Sequence, residues 1–257
     1  MDADAAAGIL RREERDVAQP GFPALSENML LAALLPADLA LLQPYLKPVE
    51  LPIRETLQRQ EEAITAAYFP ESGWTSNLLA LGSGAVGEVG LVGREGMVGL
   101  PLVYGAERSP YEIIVQSPGW ALRLEAQVLR EALAESATLH ALLMRYAMAL
   151  HVQVSWKAIC NLHHHVEQRL ARWILMAHDR ADGDEFPMTH EFLAIMLGVR
   201  RQGVTVAAGA LQKAKLIRYE RGQMAILDRR RLTAASCECY RATQRECGHL
   251  LQAAVPC

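Results

Sequence analysis

The stretch from Thr189 to Leu227, THEFLAIMLGVRRQGVTVAAGALQKAKLIRYERGQMAIL, constrains the fold of this chain more than any other. Thr189 stands where an N-cap belongs, and Phe192, Leu193, Met196 and Leu197 then recur at helical spacing until Gly198 supplies a turn. A second helical run opens at Arg200 and places Val204, Ala207, Ala208 and Leu211 on one face. Arg201, Gln202 and Thr205 fall near the start of the opposite, exposed face. After Lys215 the period becomes strand-like, and Leu216 to Tyr219 and Met224 to Leu227 flank Glu220-Arg221-Gly222 as a β-hairpin. The pattern is a helix-turn-helix followed by a wing.

An α-helix of this kind fits the DNA major groove, where arginine donates twice to guanine and glutamine pairs with adenine. Arg201 and Gln202 are therefore the expected base readers, with Thr205 one turn later. Thr189, Arg200, Lys213, Arg218 and Arg221 are placed to meet phosphates, which set position rather than sequence preference. From Thr189 to Arg231, nine Lys and Arg stand against Glu191, Glu220 and Asp228, a local balance of plus six in a chain whose formal charge is −3. Attraction for a polyanion is thus concentrated in this one segment. Paired amphipathic helices around a glycine also occur in proteins that touch no DNA; the basic cluster and the wing favour the DNA reading.

Upstream, residues 1–24 are rich in Ala, Asp, Glu and Arg, end in Pro20-Gly-Phe-Pro23, and read as a mobile leader. Ser26 is expected to cap a short helix running to Leu35, and Pro36 to open another that ends before Pro44. Between Leu46 and Leu124 short strand signals recur at Val49 to Ile53, Ala67 to Phe69, Leu78 to Leu81, Ile113 to Val115 and Trp120 to Leu124, which suggests a small antiparallel barrel or roll. Glycine occupies every third position from Gly84 to Gly99, read here as tight turns between strands. Gln127 to Leu133 reads as a short helix. From Ser136 a long helix carries Leu139, Leu142, Leu143, Tyr146, Leu150 and Val154 as an apolar stripe that needs another element over it.

Two clusters invite metal chemistry and are read against it. His163, His164 and His165 are consecutive, so they do not face one centre, and a polar hinge is expected. Asp228 is expected to begin one C-terminal helix carrying Cys237, Cys239 and Cys247, on which a Cys-x-Cys pair would point its thiols about 200° apart, a poor chelate. Reduced thiols, no metal and no cofactor are expected. The 257 residues are 51% hydrophobic, enough for a core and two domains. No apolar run of membrane-spanning length occurs and no signal peptide is visible, so a cytoplasmic protein without membrane contact is expected. A metal-dependent jelly-roll enzyme would need histidines in the roll, and the first histidine is His140. Catalysis is not expected, and no catalytic residue is nominated.

Thr189 to Thr205, followed by Leu211-Gln-Lys-Ala-Lys-Leu-Ile217, resembles the winged helix-turn-helix of the Crp-Fnr superfamily, and the resemblance extends over about residues 25–230. It implies an α+β fold: an N-terminal antiparallel β-roll, jelly-roll-like and similar to cyclic-nucleotide-binding domains (25–135), a long dimerisation helix (136–162) and a C-terminal winged helix-turn-helix (163–232), with a helical tail (233–257) beyond. It further implies a homodimeric transcription factor, with Leu139, Leu142, Leu143, Tyr146, Leu150 and Val154 in the dimer interface and two recognition helices one DNA turn apart on a palindrome. Double-stranded DNA is the implied partner, RNA polymerase a further one for an activator, and the effector is unnamed. Gln202 departs from the family pattern, which has glutamate there; an amide does not select cytosine N4, so the operator is expected to differ. Arg108-Ser109 resembles the pair that holds the phosphate in cyclic-nucleotide-binding members, which marks both as candidate effector residues. The ribose-holding glycine-glutamate pair has no match around Leu100, so cyclic-nucleotide sensing is not expected, and Arg108 paired with Glu107 or Glu112 at a hairpin end is the competing expectation. The N-terminal cysteines of iron-sulfur members are absent, and the roll lacks a haem ligand. The alternative reading is a ligand-binding β-roll protein whose helix-turn-helix reads no DNA.

Overall fold

The computed structural model describes residues 26–252. The expected leader at 1–24 and Cys257 lie outside the described residues. Helix α1 (Met29–Ala32) is capped by Asn28, whose carbonyl oxygen accepts from the Leu30 and Leu31 N–H groups. Ser26, the expected cap, instead donates to Glu71. Asn28 holds the position because its amide also donates to the Pro70 and Gly96 carbonyls, at 3.0 and 2.8 Å, which a serine hydroxyl is too short to reach. Pro36 begins α2 (Pro36–Leu42), where its missing N–H costs nothing.

Seven strands follow: β1 (Lys47–Leu51), β2 (Thr56–Gln58), β3 (Ala66–Pro70), β4 (Trp74–Ala80), β5 (Val86–Val92), β6 (Glu112–Ser117) and β7 (Gly119–Glu125). They form two antiparallel sheets, ordered β1-β7-β3 and β2-β6-β4-β5. β6 shows the period-two logic plainly, with Ile113, Val115 and Ser117 turned inward between half-buried neighbours. Of the glycine run only Gly87 and Gly90 lie in strand β5; Gly84 and Gly99 take left-handed backbone at φ 83° and 95°, and the Gly96 N–H closes a turn on the Gly93 carbonyl at 3.0 Å. Packing adds a demand at two of these positions: a Cβ on Gly93 would stand 2.8 Å from the Arg180 side chain, and one on Gly96 would overlap the Tyr146 ring.

Helix α3 (Ala126–Glu135) leads into α4 (Ala137–His163), which starts where the Ser136 hydroxyl accepts from the Leu139 N–H. The expected dimer stripe is not a free surface. Leu139, Leu143, Tyr146 and Leu150 join Leu30, Phe69, Met97 and Leu129 in one core, and Leu142 is buried as well. Val154 is half-buried. Periodicity showed that α4 needs a cover but not whose, and the cover is the chain's own roll together with α9 (Cys239–Gln252), which packs along α4. A different face stays open, with Met144, Met148, Ile159 and Leu162 at 42, 49, 48 and 76% exposure.

The C-terminal unit comprises α5 (Val166–His178), β8 (Glu185–Pro187), α6 (His190–Leu197), α7 (Arg201–Lys213), β9 (Ile217–Glu220), β10 (Gln223–Ile226) and α8 (Arg229–Ala235). β8 adds to the hairpin in the order β8-β10-β9. The single C-terminal helix expected from Asp228 is two. Ser236 is extended, at φ −75° and ψ 166°, so Cys237 lies in the break and Cys239 opens α9.

Roll, long helix and C-terminal unit meet at one buried carboxylate. Glu88 on β5 accepts from Ser76 Oγ at 2.9 Å, from Lys157 Nζ at 2.6 Å and from Trp173 Nε1 at 3.3 Å. Arg180 at the foot of α5 pairs with Glu95, and Trp74 meets Phe186 edge-on at 5.7 Å. Glu88→Ala strands the Lys157 ammonium in a poorly solvated site. It is expected to lower the unfolding free energy by about 3–5 kcal/mol, read from the midpoint of urea denaturation.

Candidate nucleic-acid interface

α6 starts because Thr189 Oγ1 accepts from the Phe192 N–H at 3.2 Å, and it stops at Gly198, whose φ of 62° suits a residue without Cβ. Leu193, Met196 and Leu197 pack in one core with Val204, Ala207, Ala208 and Leu211 of α7 and with Leu170 and Ile174 of α5. That packing turns the other face of α7 outward. Arg200, Arg201, Gln202 and Thr205 are exposed at its N-terminal end, where side chains of a helix entering the major groove reach base edges. Val206, 74% exposed, stands on the same face. An apolar side chain there suits a thymine methyl. The sequence held its signal, since Val206 falls outside the spacing of the buried positions.

Two nominated residues are engaged within the domain. Thr205 Oγ1 donates to the Arg201 carbonyl at 3.1 Å and lies 3.1 Å from His190 Nδ1, so its hydroxyl faces α6 rather than a groove. Arg218 forms an ion pair with Glu185 across β10, where both face the small Ala225. Both partners are half or more exposed, so the pair is weak and open to exchange for a phosphate. Arg200 precedes α7, Lys213 lies in its last turn, and Arg221 sits at the wing tip with φ 49°. The Thr189 hydroxyl is occupied as a cap, although the residue is exposed. His190, not nominated from sequence, stacks on Tyr219 at 4.3 Å and 15° and so ties the start of α6 to the wing.

Residues 168–235 match the Crp-like helix-turn-helix domain. Three quarters or more of the chain has the fold of solved structures that include Crp/Fnr-family regulators. A Crp/Fnr-family transcriptional regulator from Eubacterium rectale is 19% identical, with a TM-score of 0.61 over 80% of this chain and 96% of that one. FixK2 from Bradyrhizobium japonicum is 13% identical, with a TM-score of 0.62 over 75% and 98%. A CRP-family regulator from Thermus thermophilus is 18% identical, with a TM-score of 0.59 over 78% and 96%. No curated protein matches the chain. The helix-turn-helix domain is thus of the Crp-like type, and the chain shares its fold with these Crp/Fnr-family regulators.

Within the roll, the nominated effector pair is engaged by backbone groups. Arg108 Nη1 donates to the Glu61 carbonyl at 2.7 Å, and the Ser109 hydroxyl donates to the Tyr111 carbonyl at 2.7 Å while accepting from the Tyr111 N–H. Both are spent on backbone groups, and Arg108, which bridges to Ala63, has the Glu61 carbonyl as partner in place of the expected Glu107 or Glu112. A cavity of about 140 Å³ lies elsewhere, between roll and α4, lined by residues including Gln58, Asn77, Tyr104, Tyr111, His151 and Val154. Gln58 Oε1 and Asn77 Oδ1 are buried there without a hydrogen-bond partner among the described residues. No described helix is long and apolar enough to cross a membrane.

The cysteines assemble where sequence spacing predicted dispersal. Cys160 and His164 from the end of α4 meet Cys237 and Cys239 from the break between α8 and α9. The Sγ atoms of Cys160 and Cys237 are 3.4 Å apart, and the hydrogen bond between them holds the Cys237 thiol below its ordinary range despite burial.

His190 supplies a pH dependence. Burial, and then the charge of Arg201, hold its pKa below the ordinary histidine value, so the folded domain keeps a neutral ring. The unfolded chain binds that proton more readily, so this contribution to stability is complete above the ordinary value and is lost as pH falls through the lowered one. Melting of the purified protein between about pH 7 and pH 5 is expected to drop more steeply for the wild type than for His190→Gln.

Proposed function

We propose that the chain is a homodimeric transcription factor that reads a two-fold symmetric operator. The observation that carries this reading is the outward N-terminal face of α7, where Arg201 and Gln202 stand free beside Arg200, with the basic wing alongside. Arg201 and Gln202 read bases, Val206 meets a thymine methyl, and Arg200, Lys213, Arg218 and Arg221 position the domain on phosphates. The dimer forms through the outer face of α4. Ala141, Met144, Met148, Ser155 and Leu162 fall on one heptad seam there, with Ile159 beside it. Work is divided between the roll at 25–135, the long helix at 136–162 and the DNA-binding unit at 163–232. The cavity beside His151 is where a signal enters, because its two unpartnered acceptors await a donor and its wall includes α4. RNA polymerase is a partner only for activation. The protein works where the DNA is, in the cytoplasm.

Selection from a randomised duplex pool at about 0.1–0.15 M salt is expected to enrich a palindrome with half-sites one helical turn apart. Recovery of no motif, with cell metabolites present or absent, would favour a ligand-binding protein with a non-reading helix. Arg201→Ala is expected to cost about 1–3 kcal/mol of discrimination at one position of each half-site. Arg221→Ala is expected to weaken all sequences alike and to reduce the salt slope by about one. Met148→Glu places a charge in the seam; sedimentation velocity is expected to show monomers, with DNA affinity falling in parallel.

A further inference from the structure

The four convergent side chains at the base of α4 have the make-up of a closed metal site. Cys160 lies in the last turn of α4 and His164 caps that helix, its N–H donating to the Cys160 carbonyl at 3.1 Å, which holds the two residues together at the helix end. Cys237 and Cys239 reach them only because the chain is extended between α8 and α9. On a continuous helix these two thiols would diverge; across the break they converge. The ligand atoms all lie within 4.8 Å of one another, with Cys160 and Cys237 Sγ at 3.4 Å and Cys239 Sγ 3.7 Å from His164 Nδ1. A zinc-thiolate bond of about 2.3 Å in a tetrahedron places its ligand atoms about 3.8 Å apart, so one ion fits with side-chain adjustments of up to about 1 Å. A multinuclear cluster would hold its thiolates farther apart.

Two further observations point to a ligand. Glu238, between the two cysteines, has its carboxylate 3.1 Å from His164 Nε2. This fixes Nδ1 as the free ring nitrogen and supplies the carboxylate that metal-bound histidines commonly carry on their other side. Arg172 is 5% exposed, and its Nε and Nη2 have no hydrogen-bond partner among the described residues, yet it lies close enough to Cys160 and Cys239 to act on both thiols by its charge. A buried guanidinium without an anion is costly. Three thiolates and one histidine around a divalent ion leave one net negative charge, which is the counter-charge Arg172 lacks. Trp156 packs against the thiols.

We propose that Cys160, His164, Cys237 and Cys239 bind one soft divalent cation, Zn²⁺ by ligand chemistry, as a closed tetrahedral site. Each thiol that ligates releases its proton to solvent, and the imidazole binds neutral through Nδ1. No redox change is involved. The ion ties the last turn of α4 to the segment that follows α8, and so fastens the DNA-binding unit at its entry and at its exit.

The test is titration of the full-length protein, stripped of metal by a chelator under reducing conditions, with Co²⁺ as a coloured stand-in. One Co²⁺ per chain is expected, with thiolate-to-cobalt charge transfer and tetrahedral visible bands that Zn²⁺ abolishes. Cys239→Ser is expected to lose the charge-transfer intensity of its thiolate, and Cys247→Ser, whose thiol contacts the Ala149 carbonyl instead, to keep the full spectrum. Glu238→Gln leaves all four ligands in place and is expected to weaken binding about 10- to 100-fold, which keeps the test decisive if Cys239→Ser does not fold. A pale octahedral spectrum, a spectrum unchanged by Cys239→Ser, an affinity unchanged by Glu238→Gln, or a Cys160–Cys237 disulfide in protein that never met a chelator would each overturn the proposal.

Discussion

The structure depends on one buried negative charge. Glu88 lies on β5 with its carboxylate almost withdrawn from water, which is tolerable only while donors surround it. Those donors come from three places: Ser76 from the neighbouring strand, Lys157 from α4 and Trp173 from α5. A buried ion pair adds little net stability over a well-packed apolar alternative, but it penalises any arrangement that separates its members. The relative placement of roll, long helix and DNA-binding unit is therefore an electrostatic requirement as much as a packing one. Gln153, one turn before Lys157, accepts from the Leu91 N–H at 3.0 Å and adds a second tie between α4 and β5. His151 and Val154 line the roll cavity on the same stretch of helix. A ligand that displaced this part of α4 would act on Lys157 within two turns, and through Glu88 on Trp173 of the DNA-binding unit.

Close approach makes that joint achievable. The loop after β5 must lie flat enough for Arg180, just past α5, and Tyr146 of α4 to cross it, and Gly93 and Gly96 respectively stand under those two side chains. Once there, Tyr146 reaches the Met97 carbonyl and Arg180 reaches Glu95. The glycine period visible in the sequence thus has two causes, left-handed backbone at Gly84 and Gly99 and close approach of side chains at Gly93 and Gly96. Local sequence shows the first cause and not the second.

The same division explains what else was legible. Features governed by neighbours in sequence could be read directly: the Thr189 cap, the Gly198 turn, the Pro36 start, and α7 with its hairpin. Features governed by distant partners were misassigned. Leu139 and Tyr146 lie on a true apolar stripe, but the roll covers it, and only the structure separates that stripe from the Met144 and Met148 face. Arg108 sits in a motif-like pair, yet Glu61, 47 residues away, takes its guanidinium. Thr205 has the right helical phase for a groove and the wrong partner in His190. The cysteines failed for a sharper reason, because a two-residue displacement of a helix boundary reverses whether Cys-x-Cys diverges or converges.

α4 itself shows why one stripe was not enough. A helix apolar on one side lies on a surface, whereas one apolar nearly all round lies inside an assembly. The inward side of α4 is filled by the roll core, and α9 covers the side of Ala149 and Gln153, with Cys247 donating to the Ala149 carbonyl. Met144, Met148, Ile159 and Leu162 remain, on a helix whose other faces are already taken. In the proposed dimer a second copy of α4 packs on this side, and the two-fold axis runs beside it. The axis thereby passes between two helices that each carry Lys157 toward Glu88 on one side and Cys160 toward Cys237 on the other. A rotation of the helix pair about its seam would then strain both ties in each chain at once, and each recognition helix, packed on α5 between them, would turn with it.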